Sequence, residues 1–417
     1  MKKLIAVLLA ALLVCGVAGC GNNSVGETGG NTPITKRASS LGYGLNAHVY
    51  ELRAMDPSST MDYVADMTSV LGIEYYRLST PLESLFTVEE GDTLVFKEGQ
   101  KELIHQLVKK MSAAGVKKFV AVSDATIYPY GYEVTSNGVV PDPAVEKEMY
   151  IRWVRLYAKA WGKIVEEFPE ITHVETMNEP DIQGANIFTK QGHQWGADDG
   201  YVYSMTDKAH MIADLQYYTY KEVKAVDQDV LVTTPGFSTH GEGHDILDYL
   251  YEAIESGAHP FDAEAADINP DDYFDVINFH KYLDQGDTID DYFEHVDSFY
   301  KACERHNDAG KMAIITECGF TDDGNEAREV ENGEKMMQLL ELYNEKMPYV
   351  EAAMFYMLND YHNYSVSSSE DNFGLFTSAG DPEKPSCPKP AALTLYKYMH
   401  DTEDVAPIYK YCPELMP

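Results

Sequence analysis

The sequence predicts a single (β/α)8 TIM barrel, and three observations carry that prediction. Short apolar runs alternate with longer amphipathic segments eight times between residues 41 and 400, the ordering of a closed parallel barrel. Two of the runs, far apart in sequence, end in a carboxylate, Glu179 and Glu317. No Gly-rich phosphate turn follows the first run, as an open doubly wound sheet would usually show; Gly42 and Gly44 lie inside it. At 417 residues the chain is long enough for such a barrel with insertions, since barrels commonly run to about 250 residues and beyond.

The strand-like runs fall at 41–49, 73–79, 117–123, 171–178, 230–236, 275–282, 312–318 and 351–357. Between them, helical periodicity covers 61–71, 100–114, 144–168, 205–227, 244–256, 288–308, 325–346 and 389–400. In the second of these, Leu103, Ile104, Leu107, Val108 and Met111 recur at three- and four-residue spacing and Gly115 stops the pattern. The connections 124–143, 180–204 and 358–388 are long and carry Tyr128, Tyr130, Tyr132, Trp195, Tyr201, Tyr203, Tyr361, His362, Tyr364 and Phe373. In a barrel all three leave from the C-terminal face, where sites are built, so that face should hold an aromatic-lined cleft.

The chain opens on a basic head, an apolar run and small residues, the layout of a secretory signal over 1–19. The apolar run is shorter than the roughly 20 residues of a spanning helix. Val17-Ala18-Gly19-Cys20 resembles the lipobox of bacterial lipoproteins, in which the cysteine becomes the lipidated N-terminus. Residues 20–40, rich in Gly, Asn, Ser and Thr, then read as a flexible tether, and 41–417 as the globular domain. The expectation is an exported lipoprotein anchored at Cys20 on the cell surface or facing the periplasm. Cys303, Cys318, Cys387 and Cys412 remain; they show no metal spacing, and both a Cys387–Cys412 disulfide and free buried thiols are open.

A net charge of −36, from 68 acidic against 32 basic residues, repels phosphate backbones and argues against nucleic acid. A neutral partner fits better. The 30 tyrosines suit the flat faces of sugars, although Tyr is also an ordinary core and surface residue.

The stretch from Ile171 to Pro180 runs a strand pattern into Asn178-Glu179 and is stopped by proline. The stretch Lys311 to Gly319 does the same with Glu317. Two carboxyl groups across one barrel mouth are what glycosidic cleavage requires: one protonates the leaving oxygen, the other attacks or stabilises the anomeric carbon.

From Leu41 to His400 the chain resembles the clan A glycoside hydrolases. Glu175-Thr-Met-Asn178-Glu179-Pro180 looks like the clan's strand-four signature, Thr316-Glu317-Cys-Gly319 like its strand-seven motif, with Arg77 ending strand two and His280-Lys-Tyr282 ending strand six. The resemblance implies retaining cleavage of β-linked sugars, with Glu179 as acid/base, Glu317 as nucleophile and Asn178 on the sugar 2-hydroxyl. It implies neither metal nor other cofactor, and a carbohydrate partner for a monomeric enzyme. Arg77 would orient Glu317 or pair with Glu175, an inward-facing structural carboxylate. His280 would touch the sugar or sit as a core histidine, and Tyr282 would donate to Glu317.

Asp124 after strand three, His240 after strand five and Trp195 in a Gly-rich loop have addresses from which they could touch substrate. Cys318 should point outward to the helices. One departure stands out: many clan members end strand eight in Trp, whereas Tyr356 stands in this region here. Rival readings are a carbohydrate-binding barrel without turnover, a transglycosylase using the same glutamates, and a metal-dependent hydrolase. The last would want a His-x-His after strand one, where His48 stands alone.

Overall fold

Eight parallel strands close into a barrel in which each strand pairs with its neighbours in sequence and the eighth returns to the first. The computed structural model describes residues 41–47, 57–123, 125–134, 139–182, 188–190, 202–257, 268–283, 286–360, 372–378 and 386–416. The strands are β1 (Gly42–Asn46), β2 (Tyr75–Ser79), β3 (Lys118–Val122), β4 (Ile171–Glu175), β5 (Leu231–Thr233), β6 (Val276–Tyr282), β7 (Met312–Gly319) and β8 (Val350–Tyr356). Each expected helix is present: α1 (Pro57–Leu71), α2 (Glu98–Ala113), α3 (Lys147–Glu167), α4 (Met205–Val226), α5 (Ile246–Glu255), α6 (Ile289–Tyr300), α7 (Glu326–Glu345) and α8 (Pro390–His400).

Several helix starts are written in the sequence. The Ser204 hydroxyl accepts the Asp207 N–H ahead of α4, and Thr288 and Asp291 close a reciprocal capping box on α6. Pro390 opens α8 without losing a ladder bond, and Asp401 in a left-handed conformation ends it.

The strands are buried on both faces, which is why they read as near-continuous apolar runs. Outward side chains such as Leu45, Leu78, Val174 and Phe279 pack under the helices. Tyr75, Val120, Val276, Ile314, Ala352 and Met354 form a separate cluster that plugs the barrel floor. The functional side chains sit above that plug, at the C-terminal rim.

One element was not foreseen: an antiparallel hairpin, Phe86–Glu89 with Thr93–Phe96, inserted after β2. Its strands are four residues each and largely exposed on one face, so only the turn at Gly91 and Asp92, both at positive φ, marks it. The hairpin anchors the rim above β3, because Asp92 accepts the Arg152 Nε–H and the Tyr130 backbone N–H, each at 2.8 Å.

A buried triad ties the loops after β7 and β8 to the start of α8. Lys389 Nζ donates to Asp322 and Asp360, both at 2.6 Å, and Asp360 also accepts the Gly374 N–H at 2.8 Å. Burial pushes the Asp360 carboxyl up to about 6 despite the Lys389 charge. Phe373 is held over the site by this arrangement.

Cys303, Cys318, Cys387 and Cys412 form no disulfide among the described residues, and Cys387 and Cys412 stand side by side. Cys318 faces the helix layer: its thiol donates to the Met354 carbonyl and lies against Tyr343 of α7, and burial pushes it up to about 12. No described helix is long and apolar enough to cross a membrane.

Candidate active site

The strand ends converge on one cluster. β2 delivers Arg77, β6 delivers Asn278, His280 and Tyr282, and β7 delivers Thr316 and Glu317. β4 stops at Glu175 rather than running to 178. The Thr176 carbonyl is taken by the Tyr157 hydroxyl and the Thr176 side chain by Gln216, so side-chain partners replace the ladder there. Asn178 is bridged to Gly236, and Glu179 donates its N–H to the Gly236 carbonyl at 2.8 Å. Glu179 itself takes φ +42°, the left-handed region that a side chain other than glycine seldom occupies without a reason.

Arg77, 4% exposed, addresses three partners at once. Its Nε and Nη2 grip Glu175 at 2.8 and 2.5 Å, Nη2 also donates to Asn178 Oδ1 at 2.7 Å, and Nη1 donates to Glu317 Oε1. Pairing with Glu175 and orienting Glu317 are therefore simultaneous. Burial would raise the Glu175 carboxyl, but the Arg77 charge and His280 outweigh it and hold the group below the usual carboxylate range. The second oxygen of Glu317 accepts the Tyr282 hydroxyl. Burial and the Glu317 charge keep that phenol protonated, so it can only donate.

His280 is 1% exposed and lies beneath the carboxylates rather than against a sugar. Its Nε2 is 3.0 Å from Thr316 Oγ1 and its Nδ1 is 2.8 Å from Glu179 Oε1. Thr316 commits its hydroxyl proton to Asn278 Oδ1 at 2.9 Å, so Nε2 must carry hydrogen and donate to it. Burial alone would depress the imidazole, yet the Glu317 charge and contacts to Glu175 and Glu179 raise it to about 10. That favours the protonated ring, with Nδ1–H donating to Glu179 Oε1.

A bulge makes this geometry. Between β6 and β7 the register steps from Phe279↔Ile315 to His280↔Glu317, skipping Thr316. The extra residue lets Thr316 and Glu317 both serve the mouth, which strict alternation would forbid. Across the cluster, one oxygen of Glu179, one of Glu317 and a His280 nitrogen all lie within 4.8 Å of one another. The three could in principle ligate a cation. Glu317 already accepts from Arg77 and Tyr282, one oxygen of Glu179 faces His280 Nδ1, and His280 Nε2 donates to Thr316. At Gly236 a Cβ would fall 2.3 Å from His280 Nε2 and 2.4 Å from Glu175 Oε1, so only glycine admits this packing.

Tyr356 stands edge-on to Tyr282, ring centres 6.0 Å apart, and Phe373 lies 5.0 Å from Tyr282 and 5.8 Å from Tyr356. These three rings form an aromatic wall beside Glu317. Tyr128 and Tyr132 stack at 5.8 Å on the loop after β3. His240 is exposed at the rim after β5 and is not brought into the cluster. Asp124, Trp195, Tyr201, Tyr361, His362, Tyr364, His48 and Cys20 lie outside the described residues.

Sequence reasoning gave no role to Asn278, Asn46 or Thr316, the last of which it quoted only as part of the strand-seven motif. Asn278 shares the inward face of β6 with His280, two residues on, and that alternation was the available signal. Asn46 ends β1 in register with Arg77 and Tyr356. It is buried, and its Nδ2 has no hydrogen-bond partner among the described residues.

A closed parallel barrel with two carboxylates, a clamping arginine and a donating tyrosine at its C-terminal rim defines a clan A glycoside hydrolase, and hence a glycosidase. Residues 38–355 match the model described as cellulase (glycosyl hydrolase family 5). The chain belongs to that family. No curated protein matches it.

Among solved structures, a family 39 glycoside hydrolase from Bacteroides cellulosilyticus WH2 aligns with TM-score 0.56 at 16% identity over 87% of this chain, which spans 64% of that protein's length. A β-glycosidase termed BGL167 aligns with TM-score 0.57 at 12% identity, covering 89% of this chain and 98% of that one. A β-glucosidase from Thermotoga maritima gives 0.55 at 13% identity over 88% and 98%. At these identities the likeness is one of fold.

Proposed function

We propose that the protein is a retaining glycoside hydrolase that cleaves β-linked poly- or oligosaccharides by double displacement. The observation that carries this reading is the approach of Glu179 and Glu317 to within 4.8 Å, oxygen to oxygen. Retaining pairs have carboxyl groups about 5–5.5 Å apart, whereas inverting pairs leave about 6.5–9.5 Å for a water. The β configuration is supported by the family and by the β-glycosidase, β-glucosidase and β-xylosidase activities named for the similar structures.

In the first step Glu317 attacks the anomeric carbon while Glu179 passes a proton to the departing oxygen; the glycosidic bond breaks and a glycosyl ester forms. Glu179 then takes a proton from water, which attacks the same carbon and releases Glu317. Once Glu317 is esterified, Glu179 serves as the base of the second step. Asn178, already positioned by Arg77, is placed to meet the sugar 2-hydroxyl.

The test is product stereochemistry on a panel of β-glucan, β-mannan, xylan and β-galactan, followed by proton NMR. The expected result is release of a β-configured reducing end before mutarotation. An α product appearing first, or no cleavage of any β-linked glycan, overturns the reading.

We propose further that the enzyme is exported and held at the membrane through Cys20, which the lipobox-like Val17-Ala18-Gly19-Cys20 supports. Cells fed a clickable palmitate analogue should label the wild-type protein and not Cys20→Ala. Equal labelling of both would exclude this anchor.

A further inference from the structure

Behind Glu179, out of reach of any sugar, two buried charged side chains grip the turn that carries it. Asp181, 1% exposed, accepts three hydrogen bonds from the segment that follows β5: the Ser238 N–H at 2.9 Å, the Ser238 hydroxyl at 2.7 Å and the Thr239 N–H at 3.0 Å. The backbone at Gly243 closes over the same carboxylate, where a Cβ would lie 2.4 Å from Oδ2. From the opposite side Lys208, in the first turns of α4 and also 1% exposed, donates Nζ–H to the Ile182 carbonyl at 2.9 Å and to the Asp181 carbonyl at 3.5 Å.

Neither group belongs in a helix–sheet core for packing. Burying an ammonium is costly unless it is matched, and burial draws Lys208 down to about 8 against the pull of Asp181. The helix could have placed an apolar residue there at no such cost. What the two groups hold is specific: residues 178–182, in which Glu179 is kept at φ +42° and its carbonyl accepts the Ile182 N–H at 3.3 Å. A left-handed Glu persists only where its surroundings over-determine it.

We propose that Lys208 and Asp181 are positioning residues for Glu179, clamping its turn between α4 and the end of β5 so that the carboxyl meets the leaving oxygen. The inference rests on the acid role given to Glu179 above. Glycosides with a poor leaving group need the acid's proton, whereas those with a very good one depart without it. Misplacing the acid therefore has a signature that a general loss of folded protein lacks.

The experiment compares phenyl and 2,4-dinitrophenyl β-glycosides of the sugar that the wild-type enzyme cleaves, using the full chain. Lys208→Met keeps most of the aliphatic stem and removes the charge. It should lower kcat/KM for the phenyl glycoside by about 10- to 100-fold, the scale of a misplaced catalytic group, and for the dinitrophenyl glycoside by about twofold or less. Ser238→Ala, which deletes one of Asp181's donors and leaves Lys208 in place, should show the same selectivity in weaker form and carries the test if Lys208→Met does not fold.

Glu179→Ala separates the two layers of the argument. If it slows both substrates equally, the acid assignment itself fails. If it is selective while Lys208→Met and Ser238→Ala slow both substrates alike, or neither, the clamp is overturned and the acid role stands.

Discussion

Glu317→Ala should reduce kcat/KM by about 10⁶, the scale seen when a covalent nucleophile is deleted from another class of hydrolase, or about 8 kcal/mol of transition-state stabilisation. The size follows from what surrounds the residue. Arg77 donates to one oxygen and Tyr282 to the other, so the carboxylate is ionised, oriented and already stripped of most water, being 8% exposed. Alanine removes the attacking group and leaves Arg77 facing a void, with Glu175 as its remaining carboxylate. Because Glu175 grips Arg77 through two bonds, the guanidinium should stay in place and the fold should survive, which a thermal melt of the variant checks. Adding azide offers a small nucleophile in the vacated space, and a glycosyl azide of α configuration is the product expected. Retention of more than about one per cent of wild-type kcat/KM would exclude Glu317 as nucleophile, since no covalent mechanism tolerates so small a loss.

That Arg77 serves two carboxylates has a further consequence. Breaking a buried pair by removing one partner costs about 3–5 kcal/mol, because the other charge is left unmatched. Glu175 is the partner that keeps the Arg77 charge matched and the guanidinium fixed when the charge on Glu317 disappears into the ester. A structural carboxylate thus supports a catalytic one without touching substrate.

Much of this was legible in the sequence, and the remainder was not, for reasons of register and burial. The alternation in Ile171–Met177 and the apolar run before Glu317 mark strands, and the positions of Arg77, His280 and Tyr282 at strand ends place them on one rim. Their contacts are another matter. The bulge at Thr316 is a mismatch between two strands, so nothing in β7 alone announces it. The sequence also offers no sign that His280 lies under the carboxylates. That depends on Gly236, a residue from another strand, leaving room for the ring. Lys208 looks like any solvated lysine of an amphipathic helix, and only the turn packed against it shows that it is buried.

Glu179→Gln should cost about 10²- to 10⁴-fold in kcat/KM on natural glycans, the range for loss of general acid catalysis. Gln keeps the volume and an oxygen that can face His280 but cannot deliver a proton to the leaving group. In the wild-type enzyme His280 Nδ1 lies 2.8 Å from Glu179 Oε1 and its Nε2 donates to Thr316. In the variant Nδ1–H can still donate to the glutamine oxygen, which keeps the side chain in place and supplies no proton to the substrate. Two readouts follow. An aryl glycoside with a very good leaving group should react at close to the wild-type rate in its first, ester-forming step, giving a burst of released phenol. The second step, deprived of its base, should then be slow, so the steady state that follows should run far below the wild-type rate and KM should fall as the ester accumulates. Full activity of Glu179→Gln on natural glycans would remove Glu179 from the chemistry. A burst absent from the variant, with both steps slowed alike, would place the residue in binding and not in proton transfer.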